Sequence, residues 1–388
     1  MIQLSGLLWP VHLKPRPDEL LSSWLMRLTR AYATVPHTFT RKLWPDLAVW
    51  NRDLDRLAPP EIIRDLAQHT GVSIQRAFGT TLRAYEGIVF EALIQNGMTP
   101  WILPLQIWHR LHLRHGQQYC PACLDCDDPY FRRRWRLSLV TGCTEHGLVL
   151  LDRCVHCGAP INFHRAAYWI PRFTSCHKCG EDLASTVQKT TKLDLQELRA
   201  QRHLQYTISR GFVDLPDAGP VYSHLYLLGY RAFCRVLMSS RGRCALVDLT
   251  RDHDLPAVDM KNHVEENLDF APIALRRHVL LAAWKAFRSW PDGFIEVCHR
   301  YGLRGSDFRR DGQILPYWMH FVVQRNIDRP FYCTNVEELT AAIRYMDSHD
   351  IRVTPRSAYH LLGRASAKTV DRYLEALQAA RVAHPRDA

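Results

Sequence analysis

Cys120-Pro-Ala-Cys123, Cys143-Thr-Glu-His146, Cys154-Val-His-Cys157 and Cys176-His-Lys-Cys179 are four ligand pairs set between residues 120 and 179 of a 388-residue chain. Two residues between ligands let one tight turn offer both side chains to a single tetrahedral ion, and a second such turn closes the shell. Taken in order, the pairs form one site of three cysteines and a histidine (Cys120, Cys123, Cys143, His146) and one of four cysteines (Cys154, Cys157, Cys176, Cys179). An interleaved cross-brace would use the same eight residues. The donor set favours zinc, two ions per chain. With four protein ligands each, the sites have no position left for a reactive water, so the metal is expected to be structural.

Gly158 and Gly180 directly follow Cys157 and Cys179, where positive φ lets backbone N–H groups bend toward the thiolates. Disulfides are the rival use of so many cysteines, but nothing marks the chain as secreted, and a reducing compartment keeps thiols free for metal. Cys126, His156 and His177 lie inside the cluster but outside the paired rhythm, and are read as bystanders.

The chain is long enough for two or three domains, and its 47% hydrophobic content supplies real cores. Met1 to Pro10 is apolar but lacks a basic leader, and no later run reaches the ~18 apolar residues of a membrane span. The expected location is the cytoplasm. The formal charge is +11, but it is spread: 11 basic against 9 acidic residues over 1–100, 11 against 7 over 101–190, and 28 against 23 beyond. Seven thiolates with two zinc ions would bring the middle region to about +1. Such diffuse basicity is compatible with a nucleic-acid or ribonucleoprotein partner without locating one.

The expected fold is mainly α. An N-terminal helical helix-turn-helix domain (1–100) precedes a double zinc-knuckle or ribbon region with short strands (101–190). An all-helical C-terminal domain (191–388) follows, with a further helix-turn-helix. Asp18 is placed to cap a first helix whose Leu20, Leu21, Trp24, Leu25 and Leu28 share a core face, with Arg27 and Arg30 turned to solvent. Ile63 to Leu82 has the pattern of a helix-turn-helix or a plain helical hairpin, with Gly71 in the turn and Val72, Ile74 and Ala77 packing the second helix. Its second helix would offer Gln75, Arg76, Thr80, Thr81 and Arg83 to a partner. Near the end, Thr354-Pro355 starts a helix through Leu362, Gly363 turns, and a second helix carries Lys368, Arg372 and Arg381 outward.

Tyr130-Phe-Arg-Arg-Arg-Trp-Arg136 interleaves basic and aromatic residues, so Arg132, Arg133, Arg134 and Arg136 are candidate phosphate contacts beside stacking rings. The competing reading, which the sequence favours slightly, is a strand in which Trp135, Leu137 and Leu139 pack on a zinc knuckle and the arginines are merely exposed. Glu145, beside a ligand, reads as an exposed structural residue rather than a general base. No Ser-His-Asp, phosphate-loop or paired-carboxylate signature stands out, and the chain is expected not to be an enzyme.

Pro15-x-Pro17-Asp18-Glu19-Leu20-Leu21-Ser22-Ser23-Trp24-Leu25-x-Arg27-Leu28, then Tyr119-Cys120-Pro121-x-Cys123, Trp135-Arg136, Cys143-x-x-His146-Gly147-x-x-Leu150, Cys154-x-x-Cys157-Gly158 and Cys176-x-x-Cys179-Gly180, together resemble the TniQ family of transposon target-selection proteins. Trp290-Pro291-x-Gly293-Phe294 looks like a further family feature. The resemblance covers roughly the first half; the second half matches loosely. It implies a bacterial, non-catalytic adaptor that marks an insertion site and recruits an AAA+ regulator of the TnsC or TniB type. Some members ride on an RNA-guided Cascade effector with its crRNA, in places as a homodimer. TnsD-like members read target DNA themselves. The chain's length fits a Cascade-associated TniQ best. The alternatives are a TnsD-like sequence reader or a zinc-containing DNA-binding regulator, and a zinc enzyme would need an open metal position.

Overall fold

The first helix, α1 (Leu21–Ala31), is buried on almost every side, and this sets the plan of the N-terminal half. Leu21, Trp24, Leu25 and Leu28 pack with Trp9, Phe39, Trp50, Ile62 and Leu66 into one core, while Met26 turns into a second and larger one. A helix wrapped in this way must also bury its polar residues, which then need partners. Arg27 is only 7% exposed and pairs with Glu19 at 2.9 Å and Asp128 at 3.1 Å, so the solvent position expected for it is corrected. Asp18 does not cap the helix. It sits at φ 57°, with its carboxylate near Arg133 and Arg134. The capping work falls to Asp55, which accepts from the Ser22 N–H at 2.7 Å and the Ser22 hydroxyl at 2.8 Å.

The structure is a computed structural model and describes residues 8–165, 172–253, 255–256, 267–309, 314–328 and 336–362. After α1 come α2 (Pro36–Leu43), α3 (Leu54–Leu57), α4 (Pro60–Thr70) and α5 (Ile74–Phe78). Gly71 ends α4 in the left-handed conformation, and Ser73 caps α5 through the Arg76 N–H. The hairpin is therefore present, but α5 is five residues long. Ile74 points to solvent at 56% exposure instead of packing, and Thr80 and Thr81 are buried. That leaves no recognition helix at Ile63 to Leu82.

Among the described residues three two-stranded antiparallel hairpins interrupt the helices: β1 (Ile107–Trp108) with β2 (Leu111–His112), β3 (Gly142–Cys143) with β4 (Leu148–Val149), and β5 (Phe212–Leu215) with β6 (Gly219–Tyr222). A short helix α6 (Pro121–Leu124) lies in the first knuckle. The later helices are α7 (Leu195–Arg210), α8 (Ser223–Met238), α9 (Arg243–Thr250), α10 (Ile273–Phe287), α11 (Asp292–Arg300), α12 (Gly305–Phe308) and α13 (Tyr317–Val322). Asp194 and Glu197 form a capping box at the start of α7. Glu197 also pairs bidentately with Arg277 of α10, at 2.8 and 2.9 Å, both side chains buried. Tyr230, Phe233, Phe287, Trp290, Phe294 and Trp318 pack together as the aromatic centre of this half.

The chain divides into two compact units, 1–327 and 328–388. Within the first, one continuous core runs from Leu20 through the knuckles to Ile327, so residues 100 and 190 are not breaks in it. In the second, α14 (Val336–Ser348) and α15 (Pro355–Leu362) pack Leu339, Ile343, Met346 and Ala358 together. The helix expected from Thr354-Pro355 to Leu362 is α15. Gly363, Lys368, Arg372 and Arg381 lie outside the described residues. No helix among the described residues is long and apolar enough to cross a membrane.

Candidate metal centre

Each knuckle is a turn folded back on itself. Gly147 N–H donates to the Cys143 carbonyl, Gly158 N–H to Cys154 and Gly180 N–H to Cys176, each at 2.9 Å. Gly158 and Gly180 take φ of 69° and 80°, as their position after the second cysteine requires. The Cys143 knuckle sits on β3, paired to β4 through Cys143 and Leu148.

The eight expected ligands gather as two sequential groups, Cys120, Cys123, Cys143 with His146, and Cys154, Cys157, Cys176 with Cys179, each able to hold a metal ion. The cross-brace is thereby excluded. In the first group the Cys123 and Cys143 sulfurs are 3.7 Å apart, and His146 Nδ1 lies 3.7, 3.3 and 3.5 Å from Cys120, Cys123 and Cys143. In the second, Cys154 to Cys179 and Cys157 to Cys176 are both 3.6 Å. A tetrahedral ion with Zn–S bonds of about 2.3 Å separates its sulfurs by about 3.8 Å, so these edges fit one cation each. Burial pushes the Cys154 thiol up to about 12, and a dication in the cluster is what would make thiolates stable there. Cys126, His156 and His177 stand outside both groups.

The stretch between the first two ligand pairs is no strand. Arg133–Arg136 forms a 3₁₀ turn that buries Trp135, with Phe131, Leu137 and Leu139 also in the core. Its arginines are bound into the protein. Arg136 is 0% exposed and lies 2.6 Å from Asp53 and 3.4 Å from Asp55, with a further bond to the Leu103 carbonyl at 3.1 Å. It has no surface to give a nucleic acid, and the reading of Arg136 as a phosphate contact is corrected. Arg133 lies over the Tyr85 ring at 4.4 Å, reaches Asp18 and donates to the Gly79 carbonyl. Arg132 and Arg134 both hold Glu145, which is 44% exposed. Together the two guanidiniums keep the Glu145 carboxyl below its usual range despite its partial burial. Arg76 donates to the Pro15 carbonyl at 3.0 Å, and Arg83 meets Glu86 and the Phe78 ring. Each of these arginines is thus engaged by a partner within the protein.

Burial shifts the groups that these arginines serve. It raises Asp18 against the pull of Arg133, Arg134 and Arg132, and lifts Glu19 to about 6 against Arg27. Asp55 is pushed up to about 7 by burial, opposed by Arg136 and reinforced by Asp53. A second anchor lies between the Cys157 and Cys176 pairs. His164 stacks on Trp50 with centroids 4.9 Å apart, and its Nε2 meets the Arg110 carbonyl at 2.9 Å. Beside it His112 bonds the Ile161 carbonyl at 2.8 Å, and burial holds both histidines neutral, His164 down to about 4. No spacing signal marked His112, His164 or Trp50, because they meet across more than 50 residues.

Residues 10–150 match the family model described as TniQ. No curated protein matches the chain.

Proposed function

We propose, on the match of residues 10–150 to the TniQ family model, that the chain is a non-catalytic target-selection adaptor of a Tn-type transposon. In this reading it links a target-bound complex, an RNA-guided Cascade with its crRNA, to an AAA+ regulator of the TnsC or TniB type. The family match carries the proposal. It implies a role in transposon target selection, and the named partners are the finer step.

Two features support the adaptor over a stand-alone reader of DNA. The segment that resembles a helix-turn-helix has a second helix of five residues, too short to lie along a major groove. The arginines of 132–136 are spent on internal carboxylates. Against an enzyme stands the donor count, four protein ligands gathered at each metal group. We assign zinc to both groups, held by Cys120, Cys123, Cys143 and His146 and by Cys154, Cys157, Cys176 and Cys179. A bound zinc supplies cross-linking and charge neutralisation there.

The test is co-elution of the zinc-loaded chain with a reconstituted crRNA-loaded Cascade and, separately, with the AAA+ regulator from the same locus. Stable co-elution with both is expected. A chain that ignores the effector but binds one DNA duplex tightly, with a steep salt slope, would be a TnsD-like sequence reader instead.

A further inference from the structure

Five arginines without a carboxylate partner gather on one part of the surface. Arg27, Arg132, Arg133, Arg134, Arg136, Arg231 and Arg277 all meet carboxylates. Arg41, Arg52, Arg56, Arg110 and Arg114 meet none among the described residues. Arg56 donates to the Ile94 and Gln95 carbonyls at 2.9 and 2.8 Å, and Arg114 bonds the neutral Gln106 and lies 4.4 Å over the Phe270 ring. Neither charge is cancelled.

These five are not scattered. Arg52, Arg56 and Arg114 line a cleft of about 630 Å³, and Arg41 and Arg110 line one of about 240 Å³. Asn51 lines both, so the two clefts adjoin. Partial burial, then the positive charges of Arg110 and Arg41, hold His37 of the smaller cleft below its usual range. Of the acids that reach the clefts, Asp53 is taken by Arg136, which leaves Asp46 at the smaller one.

The β1–β2 hairpin stands between them, with Ile107 on the larger cleft and Arg110 on the smaller. Its two turn residues, His109 and Arg110, have φ of 45° and 66°. Asn-Gly makes such a turn with least strain, so this chain holds a strained backbone in order to carry a histidine and an arginine at the tip. Trp108, which precedes them, is 65% exposed and has only an edge contact with His109, at 4.8 Å.

We infer that the adjoining clefts and the hairpin bind a single-stranded nucleic acid, with Arg41, Arg52, Arg110 and Arg114 on its phosphates and Trp108 stacked on an unpaired base. A row of uncancelled guanidiniums calls for a polyanion, and the open indole selects which one. Bases in a duplex are already stacked on each other, whereas those of a single strand offer free faces to an aromatic ring. An acidic peptide would answer the charges and leave the indole without a purpose. The site goes beyond the adaptor reading and does not depend on which proteins the chain meets. It does not use the arginines between the zinc ligands, of which Arg136 meets the cleft only from within, through Asp53 and Leu103.

The experiment is fluorescence anisotropy of the full-length, zinc-loaded chain with a labelled 20-nucleotide single-stranded RNA and its DNA counterpart, over a range of salt. Circular dichroism and zinc content confirm that each variant is folded. The combined variant Arg41→Gln, Arg52→Gln, Arg110→Gln is expected to bind at least tenfold more weakly and to lower the slope of log K against log salt by about 2, close to 0.7 per lost phosphate contact. Trp108→Ala is expected to weaken binding about 5- to 150-fold, the worth of one stacked base, while the salt slope stays as in the wild type. The inference is overturned if the wild type binds no better than the triple variant. It is equally overturned if a duplex or a polyglutamate peptide binds as tightly as the single strand and Trp108→Ala changes nothing.

Discussion

Between Cys123 and Cys143 the chain reaches into the rest of the protein with charge; between Cys157 and Cys176 it reaches with rings. The first loop sends Arg136 to Asp53 and Asp55, Asp128 to Arg27, and the Ser138 hydroxyl to Asp269 at 2.6 Å. The second sends Phe163 against Phe131 with centroids 4.2 Å apart, and His164 onto Trp50. The two knuckles are alike in donor spacing, and each has a glycine turn after its second pair. What differs is how each is moored: buried ion pairs fail when one partner is removed, whereas stacked rings lose area and contact. The metal sets local shape, and the loop decides what that shape holds in place.

The comparison is tested most severely by removing one ligand from each site. A structural zinc contributes about 10–16 kcal/mol to a small domain, more than most domains have in reserve. Cys123→Ser is expected to lower zinc from two ions per chain to one and to abolish the cooperative melt of residues 1–327, because the loop it anchors holds α1, α3 and α10. Cys157→Ser is expected to lose one zinc as well, yet to keep a measurable melt. Metal analysis with circular dichroism reads both. Equal collapse of the two variants would break the distinction.

The moorings themselves come next. Arg136→Ala leaves Asp53 and Asp55 without their cation, and is expected to cost about 3–5 kcal/mol in urea denaturation. Next in size is a response to pH that differs in sign between the loops. His164 is held down to about 4 by burial, so the stability it supports is complete above its ordinary value near 6.5 and is lost as pH falls toward 4, by up to about 3 kcal/mol. His164→Phe keeps a ring on Trp50 with no proton to take, and should flatten that acid loss relative to wild type. Asp55 is raised to about 7, so its contribution is complete below the ordinary 3.8 and is lost as pH rises through 7; Asp55→Asn should flatten the curve there. Curves for the two variants that bend in the same direction would contradict the assignment. The smallest effect belongs to Glu145→Ala, which removes a partly exposed partner of Arg132 and Arg134 and is expected to cost about 0–1 kcal/mol.

How much of this was legible in the chain follows from the range of each interaction. The two four-residue clusters could be read because each pair is a local turn whose spacing is written in four residues, three of the four pairs being followed by a glycine. Helix α1 could be read from its apolar rhythm, but Arg27 could not, because its burial depends on Asp128, 101 residues away. Arg136 was misread for the same reason: a basic-aromatic run looks like a surface until Asp53 and Asp55 arrive from 83 and 81 residues back. Asp18 looked like a cap, yet the Leu20 and Leu21 N–H groups it would have bonded donate to the Phe131 and Thr80 carbonyls, which come from distant parts of the chain. The paired clefts were out of reach altogether, since Arg41, Arg52, Arg110 and Arg114 belong to separate segments and form no motif.

The central claim is that both metal sites are closed shells that build a scaffold and leave no place for chemistry. Zinc-edge X-ray absorption on the purified chain tests it directly. The account predicts two ions sharing seven sulfurs at about 2.3 Å and one nitrogen at about 2.0 Å, with no oxygen neighbour. A single ion per chain, or an oxygen ligand in place of a thiolate or of His146, would contradict it.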